Sequence, residues 1–405
     1  MRIRSITCFI HPRWPISELV LQKAGIFAQA AKQAFESAGY PVQTVRMATP
    51  PFPEFITKYD YAQASAQIAV MAHSEGFDYL ALGPALPHIP ESYHVIPELL
   101  STSGSLFFSG HLTTPQKEVS LPAVRACAEV IHRAAPLEAN GFANLRFAAL
   151  GNVPPWAPFF PAAYHQGKAP AFALALESAD LAVSAFSGAK SLHQARQNLI
   201  SQVEAHAQAL QAIAHRLGES YQVAFKGLDF SLAPFPEPNK SLGNALEQLG
   251  LPAVGYFGSL AAAAFLTDAL DRAVYQRTGF NGLMLPLLED STLAERGAQG
   301  VLSVTDLLLY SAVCGTGLDT LPLPGDATVE QIYAVLLDLA ALSLRLDKPL
   351  TARLMPIPGK KAGDETSFDF AYFANSKVLA LSAEPLTGPL AGDESFTLSP
   401  RHQPR

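Results

Sequence analysis

The 405-residue sequence is short of charge and of cysteine, and each shortage excludes something. Charged residues make up 16% of the chain against 49% hydrophobic residues, the reverse of the balance that keeps a chain disordered. Positive charge is the scarcer sign. A net charge of −7 leaves no broad basic surface to release counterions from a phosphate backbone, so no nucleic acid partner is expected. Cys8, Cys127 and Cys314 are the only cysteines. Their odd number and wide separation exclude a disulfide framework, match no zinc spacing and suit a reducing compartment, the cytoplasm. Long apolar runs are also missing. The longest, from Leu251 to Leu266, is broken by Pro252, Gly255 and Gly258 and stops at Asp268, short of a membrane span. The first residues, Met1 to His11, are too short and polar for the core of a signal peptide. Neither a membrane partner nor export is expected.

What is present is an alternation of short apolar runs and helical periodicity. Residues 3–10, 42–47, 79–82, 106–108, 146–150, 181–186 and 221–229 read as strands. Helices are predicted from Ser17 to about Ala38, after a Ser17 cap, and at 62–73, 121–133, 191–217, 241–249 and beyond Gly258. Strands alternating with helices of that length form a mainly parallel sheet covered by helices, either closed or doubly wound. Proline-rich connections such as Val153–Pro161 and Pro356–Gly363 are too short and too aromatic for flexible tethers. Residues 1–383 therefore read as one α/β domain and 384–405 as a loosely held tail.

Several segments could carry chemistry. Cys314-Gly-Thr-Gly-Leu-Asp319 puts a thiol on a glycine-permitted turn near a carboxylate, against the plainer reading of an ordinary buried cysteine. Ser187-Gly188, at an expected strand end, offers a hydroxyl and backbone amides, or a plain helix cap. His165, after the proline-aromatic loop, is a candidate acid or base. Asp229 and Ser231 end an apolar strand, where parallel sheets collect ligands, with loop capping as the equal alternative. Arg353 could pair with a substrate carboxylate. No histidine spacing suggests a metal site: His206 and His215 face opposite sides of one predicted helix, and His88 and His94 lack partners.

Leu228-Asp229-Phe-Ser-Leu-Ala-Pro234, Leu249–Gly255, Cys314–Asp319, Pro324-Gly-Asp326 and Arg353–Lys360 together resemble the domain-of-unknown-function 711 family. The resemblance covers nearly the whole chain and is sharpest between Phe225 and Asp364. It implies a ten-stranded α/β barrel similar to pyruvate formate-lyase. The tail lacks the glycyl radical motif of such enzymes, so radical chemistry is not expected. Ser187, Gly188, Asp229, Ser231, Cys314, Gly317, Asp319, Arg353 and Gly359 match the family pattern, and Tyr164-His165 matches a phenylalanine-histidine pair. Phe257 departs from it, standing where relatives often carry histidine. The resulting expectation is an enzyme acting on a small polar or anionic metabolite in the barrel mouth. Cys314, His165 and Asp319 would be catalytic, and Ser187, Gly188, Asp229 and Arg353 would bind the substrate. The alternative is a non-catalytic metabolite-binding or regulatory protein built on the same loops. No cofactor and no metal are expected, and a homo-oligomer stays open.

Overall fold

A computed structural model describes residues 1–57 and 60–400. Its strands, in chain order, are β1 (Arg2–Phe9), β2 (Val42–Ala48), β3 (Tyr79–Ala85), β4 (Leu106–His111), β5 (Glu118–Ser120), β6 (Phe147–Gly151), β7 (Ala171–Glu177), β8 (Ala224–Ala233), β9 (Gly317–Pro324), β10 (Leu350–Ile357) and β11 (Ser395–Thr397). Nine of them form one sheet in the order β8-β7-β1-β2-β3-β4-β6-β10-β9. The central five, β1, β2, β3, β4 and β6, are mutually parallel. The flanking pairs β7–β8 and β10–β9 are each parallel within themselves and antiparallel to the centre. The C-terminal ends of β7 to β10 therefore lie beside the N-terminal ends of the central strands.

Helices cover one face of this sheet. The helix Glu18–Ser37 buries Leu21, Ala24, Phe27, Ala28, Ala31 and Phe35, the spacing of a single helical face. Ser17 stands at its N-cap, but the side chain makes no capping bond there. Helix Val329–Arg345 begins with a full capping box between Thr328 and Gln331. The other face mixes small and polar residues with Phe9, Phe107 and Leu150, and packs on the segment that follows β6. Thr7 donates its hydroxyl to the Pro158 carbonyl at 2.7 Å, and the Phe160 ring packs edge-on to Phe107 at 5.4 Å. On β7, Ala171, Ala173 and Ala175 meet that inserted segment, while Phe172, Leu174 and Leu176 join the helix-covered core.

Three expectations change. The sheet has nine strands rather than ten, and its ladder does not close between β8 and β9. The irregular segment 276–287 lies there instead. It bonds to Leu228 and Ser231 on β8 and to Asp319 on β9, with isolated bridges Leu228↔Arg277 and Pro286↔Asp319. The run 181–186 is not a strand: the strand is β7, and 179–186 form a short helix. Short apolar runs cannot be assigned by periodicity alone. The alternation of alanine with large residues in Ala171-Phe-Ala-Leu-Ala-Leu-Glu177 was the signal for the strand. In the expected tail, parts of the segment 384–400 bond to the rest of the chain. β11 pairs with β5, Arg125 pairs with Asp393, and the Tyr333 hydroxyl donates to the Leu390 carbonyl. Residues 401–405 of that tail lie outside the described residues.

Candidate functional site

At the end where β7 to β10 finish and the central strands begin, a cavity of about 220 Å³ opens among buried charges. Arg353 on β10 donates Nε to Asp319 Oδ1 on β9 at 2.5 Å and Nη2 to Glu289 Oε1 at 2.7 Å. The other Glu289 oxygen accepts Arg4 Nη2 at 2.6 Å. Arg4 also reaches Glu177, at 3.4 Å, and Glu177 takes Arg2 at 2.7 Å. A register irregularity in β1 between Ile3 and Ser5 lets Arg4 face the cavity while Ser5 and Thr7 reach the inserted loop.

Arg46 on β2 lines the same cavity but is held differently. It is 8% exposed, its Nε donates to Thr44 Oγ1 at 2.8 Å, and its two terminal nitrogens have no acceptor among the described residues. The guanidinium lies over the rings of Tyr79 and Phe160, at 5.7 and 5.1 Å. Burial, reinforced by Arg4, pulls its pKa down to about 9. Among these groups the positive charges outnumber the carboxylates by one, and Arg46 carries the surplus.

The two carboxyls beside Arg353 are not equivalent. Burial alone pushes Glu289 up, but Arg4 and Arg353 together outweigh it and hold it below the usual range. Asp319 accepts from only one guanidinium, so burial, helped by the nearby Glu289, raises its proton affinity. Arg353, gripped by both carboxyls, has its pKa raised despite burial.

The other expected residues lie elsewhere. Asp229 is fully buried and accepts the backbone amides of Phe280 and Asn281, at 2.8 and 3.0 Å, and the Ser231 hydroxyl at 2.5 Å. It pins segment 276–287 to β8. Cys314 sits in the main apolar core and lines neither this cavity nor the cleft at the opposite end. Its glycines serve backbone packing: Gly315 crosses Gly282, where an added Cβ would stand 2.8 Å from the Gly282 Cα. Ser187 and Gly188 follow the helix Ala179–Phe186, exposed on the outside of the helical layer. They were expected at a strand end, and the element before them is a helix. Phe257 is fully exposed.

His165 belongs to the opposite end of the sheet, in a cleft of about 760 Å³ shared with His11, His111 and Tyr164. The residue is 1% exposed, and neither ring nitrogen has a partner among the described residues. Burial first, then His11 and Lys226, lowers its pKa to about 4, so the imidazole is neutral near pH 7. Only Asp319 and Arg353 of the expected set meet in one cavity. Arg4, Arg46 and Glu289 were missed. The signal for Arg46 was a charged residue inside the apolar strand Val42–Ala48, a placement that is costly without a partner. Among the described residues no group of three or more His, Cys, Asp or Glu is placed to hold a metal ion, and no helix is long and apolar enough to cross a membrane.

The relatives of this chain carry names without an assigned activity. It is 30% identical over 364 residues to a UPF0210 protein of Pyrobaculum aerophilum, covering 83% of this chain and 78% of that protein. A UPF0210 protein of Pyrobaculum islandicum is 31% identical over 365 residues, with the same coverage. One from Acetivibrio thermocellus is 31% identical over 288 residues, covering 67% of this chain and 63% of that protein. The model of the family described as Uncharacterised ACR (DUF711) matches residues 1–375, and the chain belongs to that family.

Proposed function

We propose that this protein is an enzyme that holds a small anionic metabolite against Arg46 and acts on it through the unequal carboxyls Asp319 and Glu289. The observation that carries this reading is the buried guanidinium of Arg46, which forms no ion pair among the described residues. A charge taken out of water costs several kcal/mol unless it is paired, and a site built around such a charge is built for an anion. The aromatic walls, Tyr79, Phe107, Phe160 and Tyr372 among them, exclude water and strengthen every charge interaction inside. A volume of about 220 Å³ suits a compact metabolite rather than a nucleotide. Carboxyls whose proton affinities are pushed apart supply the acid and base of many reactions, with Glu289 staying ionised and Asp319 able to hold a proton. Segment 276–287 serves in this reading as the tenth strand of a barrel like that of pyruvate formate-lyase, supported by its bonds to both β8 and β9. Three free, buried thiols suit a cytoplasmic setting.

Incubation of a cell metabolite extract with the wild-type protein and with Asp319→Asn, followed by untargeted mass spectrometry, tests the catalytic part. One anionic metabolite is consumed by the wild type, whereas Asp319→Asn retains it without turnover. An extract left unchanged by both, with the same metabolite co-purifying, favours the non-catalytic binding protein.

A further inference from the structure

A second, larger groove lies outside the sheet, between the helix Glu18–Ser37, the end of the helix Leu192–Tyr221 and the turn that follows β1. Its volume is about 820 Å³, and its walls include Trp14, Phe27, Phe55 and Tyr221. Phe27 forms the floor at 1% exposure and meets Tyr221 edge-on at 5.8 Å. Ile26 stands 54% exposed and Tyr221 41% exposed at the rim, apolar surface that a monomer ordinarily covers or uses. Its charged lining is cationic, although Asp60 accepts from the wall residue Trp14 through Nε1 at 3.3 Å. Arg13, Lys23 and Lys168 line it, and no carboxylate does among the described residues, in a chain whose net charge is −7. Arg13 also holds a left-handed backbone at φ 66°, its amide donating to His11 Nδ1 at 3.1 Å, a strained turn kept at the groove wall. His11, Phe55 and Lys168 line both this groove and the His165 cleft, so the two spaces adjoin, with Lys168 as the cation they share.

An apolar trough whose charged lining, among the described residues, is Arg13, Lys23 and Lys168 matches a molecule that is apolar along its length and anionic at one end. We propose that this groove binds an amphipathic anion, a long-chain carboxylate, with its chain over Phe27 and its head at the His11–Lys168 junction. The site is separate from the Arg46 cavity and does not depend on the function assigned there. Burial of methylenes sets the affinity, about tenfold for each two added to the chain, and the head group sets specificity.

Isothermal titration of Arg46→Met protein with octanoate, decanoate and dodecanoate, below their micellar concentrations, tests this without interference from the Arg46 cavity. One site per chain is expected, tightening about tenfold per two methylenes, with dodecanol about threefold to fivefold weaker than dodecanoate. Lys168→Glu and Ile26→Glu, both at exposed positions that folding tolerates, each weaken dodecanoate at least tenfold. Dodecanol binding as tightly as dodecanoate, absence of saturable binding, or affinity unmoved by both variants overturns the proposal. So does a dimer in sedimentation that dodecanoate does not dissociate and Ile26→Glu does, because a second copy of the chain then occupies the groove.

Discussion

Burial decides the behaviour of single residues here more than their chemical type does. Asp229 is an equal candidate in the sequence for binding a ligand and for capping a loop, and it spends its oxygens on two backbone amides and a hydroxyl inside the protein. Burial raises its pKa to about 6, while the hydrogen bonds from Ser231, Phe280 and Asn281 pull the other way. A carboxyl whose folded pKa exceeds its unfolded value near 3.8 contributes stability below that value and loses it as pH rises through the folded pKa. Urea unfolding of wild type and Asp229→Asn across pH 4 to 7 reads this directly. The advantage of wild type over the variant should shrink as pH rises, by up to about 3 kcal/mol; an advantage that grows over the same range shows that Asp229 ionises easily in place. Arg46 and Glu289 illustrate the other side of the same rule. Their types were visible in the sequence, but their meeting with Arg353 depends on strands far apart in the chain, so only Asp319 and Arg353 were legible as partners.

The elements were legible wherever one face was buried and the other was not. Helix Glu18–Ser37 and helix Leu121–Ala134 lie within a residue of their expected bounds because their apolar residues recur at helical spacing. The failure came at 171–186, where β7 is buried on both faces and a short apolar helix follows at once. That error moved Ser187 and Gly188 to a strand end they do not occupy. The glycines of Cys314-Gly-Thr-Gly317 were noticed for a sound reason, close backbone approach, but the approaching group is protein rather than ligand. Gly317 has φ 100°, and a Cβ there would stand 2.1 Å from the Thr351 carbonyl oxygen. Gly317→Ala should therefore cost about 2–4 kcal/mol in chemical denaturation, from strain and overpacking combined. A loss below about 0.5 kcal/mol, the size of an ordinary surface change, contradicts this packing role.

At the scale of the whole molecule, antiparallel flanks on a parallel centre bring opposite strand ends together, and each end of the curled sheet acquires its own cavity. Pairing order of this kind is not encoded in local periodicity, and neither the alternation of elements nor the family resemblance predicted the antiparallel flanks. The inserted loop 152–165 keeps the two ends apart, leaving His165 at one and Arg353 at the other. The charge surplus at Arg46 is the feature on which the functional reading rests. Titration calorimetry with inorganic phosphate and malonate, on wild type and on Arg46→Met, tests it most directly. One anion per wild-type chain is expected, with affinity at least about thirtyfold weaker in Arg46→Met and with the empty variant no less stable than wild type. Equal affinity in the two proteins, or an empty Arg46→Met that unfolds several kcal/mol more easily, would mean that Arg46 is a structural group already satisfied by its neighbours.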